Sequence, residues 1–161
     1  MQRASIETLD GLFRVSFSDT GLARLDFPSN SSKPLSEPED GPWRAWLDLT
    51  RRALQAALSG MRVPELPPLD LSVGSGFQRE VWGILGRIKP GCTMTYQQVA
   101  MALHKPGAAR AVGSACGANP VPVLIPCHRV IATGGGLGGF SGGLDWKRKL
   151  LDRERKPTGW F

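Results

Sequence analysis

Apolar and polar residues alternate through the first stretch of the chain. Within residues 5–27, Leu12, Val15 and Phe17, then Leu22, Leu25 and Phe27, recur among polar neighbours, and Asp10-Gly11 and Thr20-Gly21 interrupt them. Alternation punctuated by turn dipeptides predicts two or three antiparallel strands. Residues 28–42 are rich in Ser, Pro and acid and read as a flexible connection. From Trp43 the period lengthens. Trp43, Trp46, Leu47, Thr50, Ala53, Leu54, Ala57 and Leu58 share one helical stripe, which predicts a helix over 43–59 with its tryptophans packed against the sheet. Pro64, Pro67 and Pro68 mark a linker and set a boundary near residue 70. The expected division is an N-terminal strand/helix domain, 1–70, and a C-terminal domain, 71–161.

Helical periods continue in the second half. Ser75 with Gln78 three residues on is a capping-box pattern, and Phe77, Val81, Ile84, Leu85 and Ile88 then line one helical face. Lys89-Pro90-Gly91 ends that helix. Thr95 with Gln98 repeats the capping box and opens a helix to about His104. After the turn at Lys105-Pro106-Gly107, residues 108–117 form a third helix made almost entirely of small residues, from which the long cation Arg110 projects. Two short helices joined by a tight turn are a helix-turn-helix candidate. A helix this bare suits close approach to a minor groove, with one side chain wedged into the base stack; tight helix packing with Arg110 in a salt bridge suits it equally. Asp145 is expected to cap a last helix carrying Leu150, Leu151 and Glu154. The elements together predict an α+β chain, in which a small antiparallel sheet and helix precede a mostly helical domain.

Charge sharpens this division. Over residues 1–80 there are 9 Lys+Arg against 11 Asp+Glu, or −2; over 81–161 there are 11 against 3, or +8. No carboxylate occurs from Val81 through Leu144. An acid-free stretch of this length points to an anionic partner, foremost nucleic acid. No apolar run is long enough for a membrane span, and the N-terminus lacks the apolar region of a secretory signal. Cys92, Cys116 and Cys127 are odd in number and form no C-x-x-C pair, which argues against a disulfide framework or a zinc site and for reduced thiols in a cytosol-like compartment.

The candidate chemistry lies in Ile125-Pro126-Cys127-His128-Arg129-Val130. A thiol adjoins an imidazole on a proline-stiffened, apolar turn, so a nucleophile has a base at hand. A free cysteine in apolar surroundings is also often inert core. Seven glycines crowd the ten residues after Thr133, but no Gly-Lys-Ser/Thr follows, so they are not a phosphate loop. They suit a loop that passes close to something bulky.

In order over residues 74–154, Phe77-Gln78, Val81-Trp82, Thr95 to Ala100, Ala109 to Gly113, Asn119-Pro120, Pro126 to Val130, Phe140 to Leu144 and Lys147 to Glu154 resemble the O6-alkylguanine-DNA alkyltransferases, also called methylated-DNA–protein-cysteine methyltransferases. The resemblance implies a winged-helix-like catalytic domain and DNA repair by direct reversal, in which O6-alkylguanine is flipped from the duplex and its alkyl group passes irreversibly to Cys127. His128 would be the base, acting through a water, Glu154 would orient it, Asn119 would brace the turn, and Tyr96 would hydrogen-bond the guanine. Arg110 would fill the vacated stack, with Ala109, Ala111, Gly113, Thr95, Tyr96 and Gln97 at the DNA. Tyr96, Val130, Phe140 and Ser141 would form the substrate pocket. The family often has tyrosine where Phe140 stands, so help at the guanine O6 would fall to the Ser141 backbone N–H. The partner implied is double-stranded DNA carrying O6-alkylguanine, with O4-alkylthymine a second candidate. No cofactor or metal is expected. A cytoplasmic monomer is expected, nucleoid-associated in a bacterium or archaeon and nuclear in a eukaryote. The rivals are a non-catalytic lesion-binding protein and a cysteine hydrolase.

Overall fold

A computed structural model describes residues 1–155. The alternating segment forms three strands, β1 (Gln2–Thr8), β2 (Gly11–Phe17) and β3 (Leu22–Asp26), in one antiparallel sheet of order β1-β2-β3. β1 starts three residues earlier than alternation alone indicates, because Gln2 and Arg3 pair with Phe17 and Ser16. Ala4, Ile6, Phe13, Val15 and Leu25 turn one face inward. The register shifts between Ser16 and Phe17, as at a bulge.

Helix α1 (Pro42–Leu58) lays its Leu47, Thr50, Ala53 and Leu54 stripe in the core. Its tryptophans stand at the edge of that core, half-buried: Trp46 packs on Phe17 with ring centroids 6.3 Å apart, and Trp43 Nε1 donates to Ser18 O at 3.2 Å. After the linker, Leu22 N–H donates to Pro68 O and Asp70 N–H to Leu22 O, so the chain runs beside β3 before entering its second half.

Both capping boxes form. Ser75 caps α2 (Gly76–Leu85) and Thr95 caps α3 (Tyr96–Ala102), each with its glutamine reaching back to the cap N–H. α3 stops two residues before His104, which takes φ 57° and turns the chain. α4 (Ala109–Gly117) packs on α2 and α3 through Val112, Ala115 and Cys116. The buried Trp82 Nε1 donates to Ala115 O at 2.8 Å and ties α2 to α4. β4 (Met94–Thr95) and β5 (Val130–Ile131) pair in parallel, joining the start of α3 to the residues just past Cys127. Two residues are too few to show a period, and the sequence gives no sign of this pair. α5 (Leu144–Arg155) closes the fold. Asp145 lies inside its first turn rather than at the cap, where its charge still suits the helix N-terminus.

One hydrophobic core runs from the sheet through Val81, Trp82 and Val99 to Leu150. Aromatic rings bridge the two halves: Phe27 lies 5.7 Å from Phe13, 5.0 Å from Trp146 and 5.7 Å from Phe140. The architecture is mixed α/β, with a small antiparallel sheet and five helices among the described residues. No helix among the described residues is long and apolar enough to cross a membrane.

Trp82→Phe should keep most of the packing but strand the buried Ala115 carbonyl. A loss of about 1–3 kcal/mol is expected, read as a lower urea midpoint with an unchanged slope. An unmoved midpoint would mean that this bond does not tie α2 to α4.

Candidate active site

The approach to Cys127 is stiff. Residues 121–130 are buried throughout. Val123 has φ 73°, a left-handed conformation that costs a β-branched residue on the order of 1–3 kcal/mol. Asn119 spans the bend: its Oδ1 accepts from Val121 N–H at 2.9 Å and its Nδ2 donates to Ile125 O at 2.8 Å. The chain then enters a single 3-10 turn, Cys127–Arg129, with Cys127 N–H donating to Ile125 O.

That turn meets α5 at a buried carboxylate. Glu154 Oε1 lies 2.8 Å from His128 Nε2, and both side chains are almost fully buried. Arg129 grips the same carboxylate through Nε, at 3.1 and 3.0 Å, and Nη2, at 2.8 Å, and donates from Nη1 to Ile88 O. Burial would push the Glu154 carboxyl up, but the hydrogen bonds and charges of His128 and Arg129 bring it down to about 2. His128 moves the opposite way: burial lowers its pKa, against the pull of Glu154. A neutral imidazole donating from Nε2 to a carboxylate carries its lone pair on Nδ1. Nδ1 is buried and has no hydrogen-bond partner among the described residues.

The thiol next to this imidazole is not a ready-made thiolate. Burial pushes Cys127 up to about 11, although a hydrogen bond from Asn119 and the Lys147 charge pull it down. At pH 7 only about one thiol in 10⁴ would ionise unaided. Cys116, also buried, is pushed up to about 12. Lys147 is fully buried on α5; its Nζ donates to Val130 O and, at 3.2 Å, to Gly139 O, and burial lowers its pKa.

A cavity of about 490 Å³ opens over the thiol, lined by Tyr96, Arg110, Cys116, Cys127, Phe140 and Ser141, with Gly113, Ser114, Gly117 and Gly139 between them. Burial raises the pKa of the Tyr96 hydroxyl and keeps it protonated. A Cβ on Gly138, which has φ 69°, would lie 2.4 Å from Tyr96 Oη, so the loop can approach the phenol only as glycine. Phe140 sets its ring edge-on to His128, with centroids 6.5 Å apart. Arg110 stands exposed at the rim and forms no salt bridge or side-chain hydrogen bond among the described residues.

Not every residue expected at the site is found in the cavity wall. Val130 is fully buried and contributes its carbonyl to Lys147 rather than its side chain to the lining. Thr95 Oγ1 is taken up by its cap, and Gln97 Nε2 donates to Pro106 O in the turn between α3 and α4. Ala109, Ala111 and Gly113 lie on α4 with Arg110, and of these only Gly113 and Arg110 reach the cavity. Arg129 and Lys147 are site residues that sequence reasoning passed over. Lys147, Leu150, Leu151 and Glu154 follow i, i+3, i+4, i+7 spacing, a signal that puts Lys147 on the buried face.

A family-wide profile described as "6-O-methylguanine DNA methyltransferase, DNA binding domain" matches residues 76–156, which include all the site residues named above. A methylated-DNA–protein-cysteine methyltransferase of Methanosarcina barkeri is 37% identical over 158 residues, 92% of this chain and 94% of that protein. The chain belongs to this methyltransferase family. Its namesake in Mycolicibacterium paratuberculosis is 48% identical over 97 residues, 58% of this chain and 59% of that protein's length. Among solved methyltransferase structures, Mycobacterium tuberculosis OGT in complex with DNA matches with a TM-score of 0.78 and 34% identity, covering 96% of this chain and 93% of that one.

The depressed Glu154 carboxyl fixes the sign of a pH effect. As pH falls, the unfolded chain takes up this proton first, near 4.5, and the folded chain only near 2. The stability that Glu154 contributes is therefore complete above about pH 5 and lost toward about pH 2. Glu154→Gln should cost about 3–5 kcal/mol at pH 7, because Arg129 is left buried without its partner. The gap between the two proteins in urea should close as pH falls through that window. A gap independent of pH would contradict the charged pairing.

Proposed function

We propose that this protein repairs DNA by direct reversal: it flips O6-alkylguanine out of the duplex and transfers the alkyl group irreversibly to Cys127, once per molecule. The observation that carries the reading is Cys127 in the wall of a cavity with a cationic rim, followed in the chain by His128, which is hydrogen-bonded to the buried Glu154. A lesion-binding protein without chemistry would have no use for an imidazole oriented by a buried carboxylate. Family membership supports the same activity, as does a relative solved with DNA.

In this reading His128 Nδ1 draws the thiol proton through a water as Sγ attacks the alkyl carbon. The carbon–O6 bond breaks and its electron pair leaves with the guanine. Tyr96, protonated and facing the cavity, donates toward the departing base and offsets its developing charge, and the Ser141 N–H assists at O6. The proton lost by the thiol returns to the guanine. Phe140 and Ser141 wall the base. Glu154 orients His128, and Asn119 fixes the turn. Because burial disfavours the thiolate, the neutral thioether is the better-matched occupant of the pocket, which suits a transfer that does not reverse.

The DNA side falls to α3, the turn and α4, a helix-turn-helix in a winged-helix-like domain. The small residues Ala109, Ala111 and Gly113 allow α4 close to the minor groove, where Arg110 fills the gap left by the flipped base. Thr95 and Gln97 act through the backbone and turn they hold, beside phosphates. The partner is duplex DNA bearing O6-alkylguanine, with O4-alkylthymine a second substrate. The protein works as a cytoplasmic monomer, with residues 1–70 supporting a catalytic unit from residue 71 onward.

Protein mixed with O6-methylguanine duplex should gain a single methyl mass on the peptide containing Cys127, and Cys127→Ser should gain none. Methylation of Cys92 or Cys116 instead, or continued turnover, would sink the proposal.

Arg110→Ala separates flipping from chemistry. Its reaction with duplex should slow much more than its reaction with free O6-benzylguanine, because a free base needs no flipping. Equal losses in both reactions, with a lower melting temperature, would make Arg110 a structural residue.

A further inference from the structure

Glu154 must stay within hydrogen-bond distance of His128, yet it sits in the last described turn of α5. Among the described residues its chain neighbour, Arg153, forms no side-chain hydrogen bond or ion pair with the thiol site. Arg153 reaches the N-terminal half instead, where Nη1 and Nη2 form a two-pronged ion pair with Asp10 at 2.8 and 2.7 Å, and Nη1 also donates to Leu58 O at 2.8 Å. Asp10 occupies the β1–β2 turn, held by its own N–H on Thr8 Oγ1. Its side chain is 13% exposed and that of Arg153 29%, so the pair is well sheltered. The backbones are equally close. Gly60, just past α1, has φ 74°, and a Cβ there would lie 2.4 Å from Arg153 O. The sheet's first turn and the end of α1 therefore hold the backbone carbonyl and the guanidinium of the residue next to Glu154. The far end of α5 is held separately, by Trp146 on Phe13 and Phe27.

We infer that Asp10, through Arg153, is a positioning residue for the alkyl-transfer reaction: the clamp from the N-terminal half sets the last turn of α5 so that Glu154 meets His128 and Arg129 together. The inference rests on the proposed function above. It gives the N-terminal half a part in thiol activation, although none of its residues lines the cavity over Cys127. The charged groups that face His128 and Glu154 are each other, Arg129 and Lys147; Asp10 faces Arg153 and, more distantly, Lys149. Asp10 therefore acts on the relay by placement and not by its own field.

A single-turnover reaction suits the test, because its amplitude counts competent molecules while its rate constant reports how well each is arranged. The full chain is reacted with free O6-benzylguanine as wild type, Asp10→Asn, Glu154→Gln and the double variant. Displacements of about 1 Å remote from the chemistry can cost up to roughly 100-fold. A fall of about tenfold is expected for Asp10→Asn, with near-full amplitude, and no further fall when Glu154 is already Gln. Arg153→Lys, which keeps the charge but loses the fork, should fall between wild type and Asp10→Asn and covers the case of an ill-folded Asp10→Asn. An unchanged rate constant with only a lower amplitude or melting temperature would make the pair structural and overturn the inference. So would an equal fall in the Glu154 and Glu154→Gln backgrounds. A wild-type protein that never benzylates Cys127 would instead overturn the alkyltransferase reading itself.

Discussion

A carboxylate with only 2% of its side-chain surface exposed is expensive, and Glu154 is tolerable only because two partners meet it at once. Arg129 supplies the balancing charge and His128 a directed hydrogen bond. Those partners come from the 3-10 turn that also carries Cys127, so satisfying the carboxylate fixes the turn against α5. Arg129 extends the constraint to the Ile88 carbonyl beyond α2. Remove the carboxylate, and a buried guanidinium and an unoriented imidazole are left beside the thiol. The active site and the stability of the second half thus depend on one ion cluster.

The cluster also decides the resting state of the chemistry. Reactive cysteines are often thiolates held by nearby cations. Here burial outweighs the Lys147 charge and keeps Cys127 a thiol, while burial likewise keeps His128 neutral. The negative charge resides on Glu154, where Arg129 neutralises it. In the proposed reaction, proton transfer is coupled to attack on the alkyl carbon rather than completed beforehand, and bystander electrophiles meet a poor nucleophile.

Local signals in the sequence marked out most of the fold. The two capping boxes are self-contained three-residue instructions, and both form as read. The apolar stripe of α1 and the turn dipeptides of the sheet act over similarly short distances. Interactions between distant segments were harder to read. The β4–β5 pair joins residues over thirty positions apart, and Val130 follows the cysteine so closely that its inward-facing side chain could not be told from a pocket wall. Asp145 has a capping residue's chemistry, but the helix begins at Leu144. At the site, the residues carrying unusual chemistry in an unusual order, Cys127-His128 and the solitary Arg110, were visible. Arg129 and Lys147 were not, because a cation's role depends on which buried oxygen it meets, and those oxygens, on Glu154, Val130 and Gly139, lie on other segments.

The central claim is a neutral imidazole whose Nε2–H is committed to Glu154 and whose Nδ1 is free to act as the base. ¹⁵N spectroscopy of the His128 ring at pH 7 tests it most directly. The account predicts one protonated nitrogen, Nε2, and one bare nitrogen, Nδ1, with the Nε2–H signal altered in Glu154→Gln. A doubly protonated ring at that pH, or a proton on Nδ1 with Nε2 bare, would contradict it.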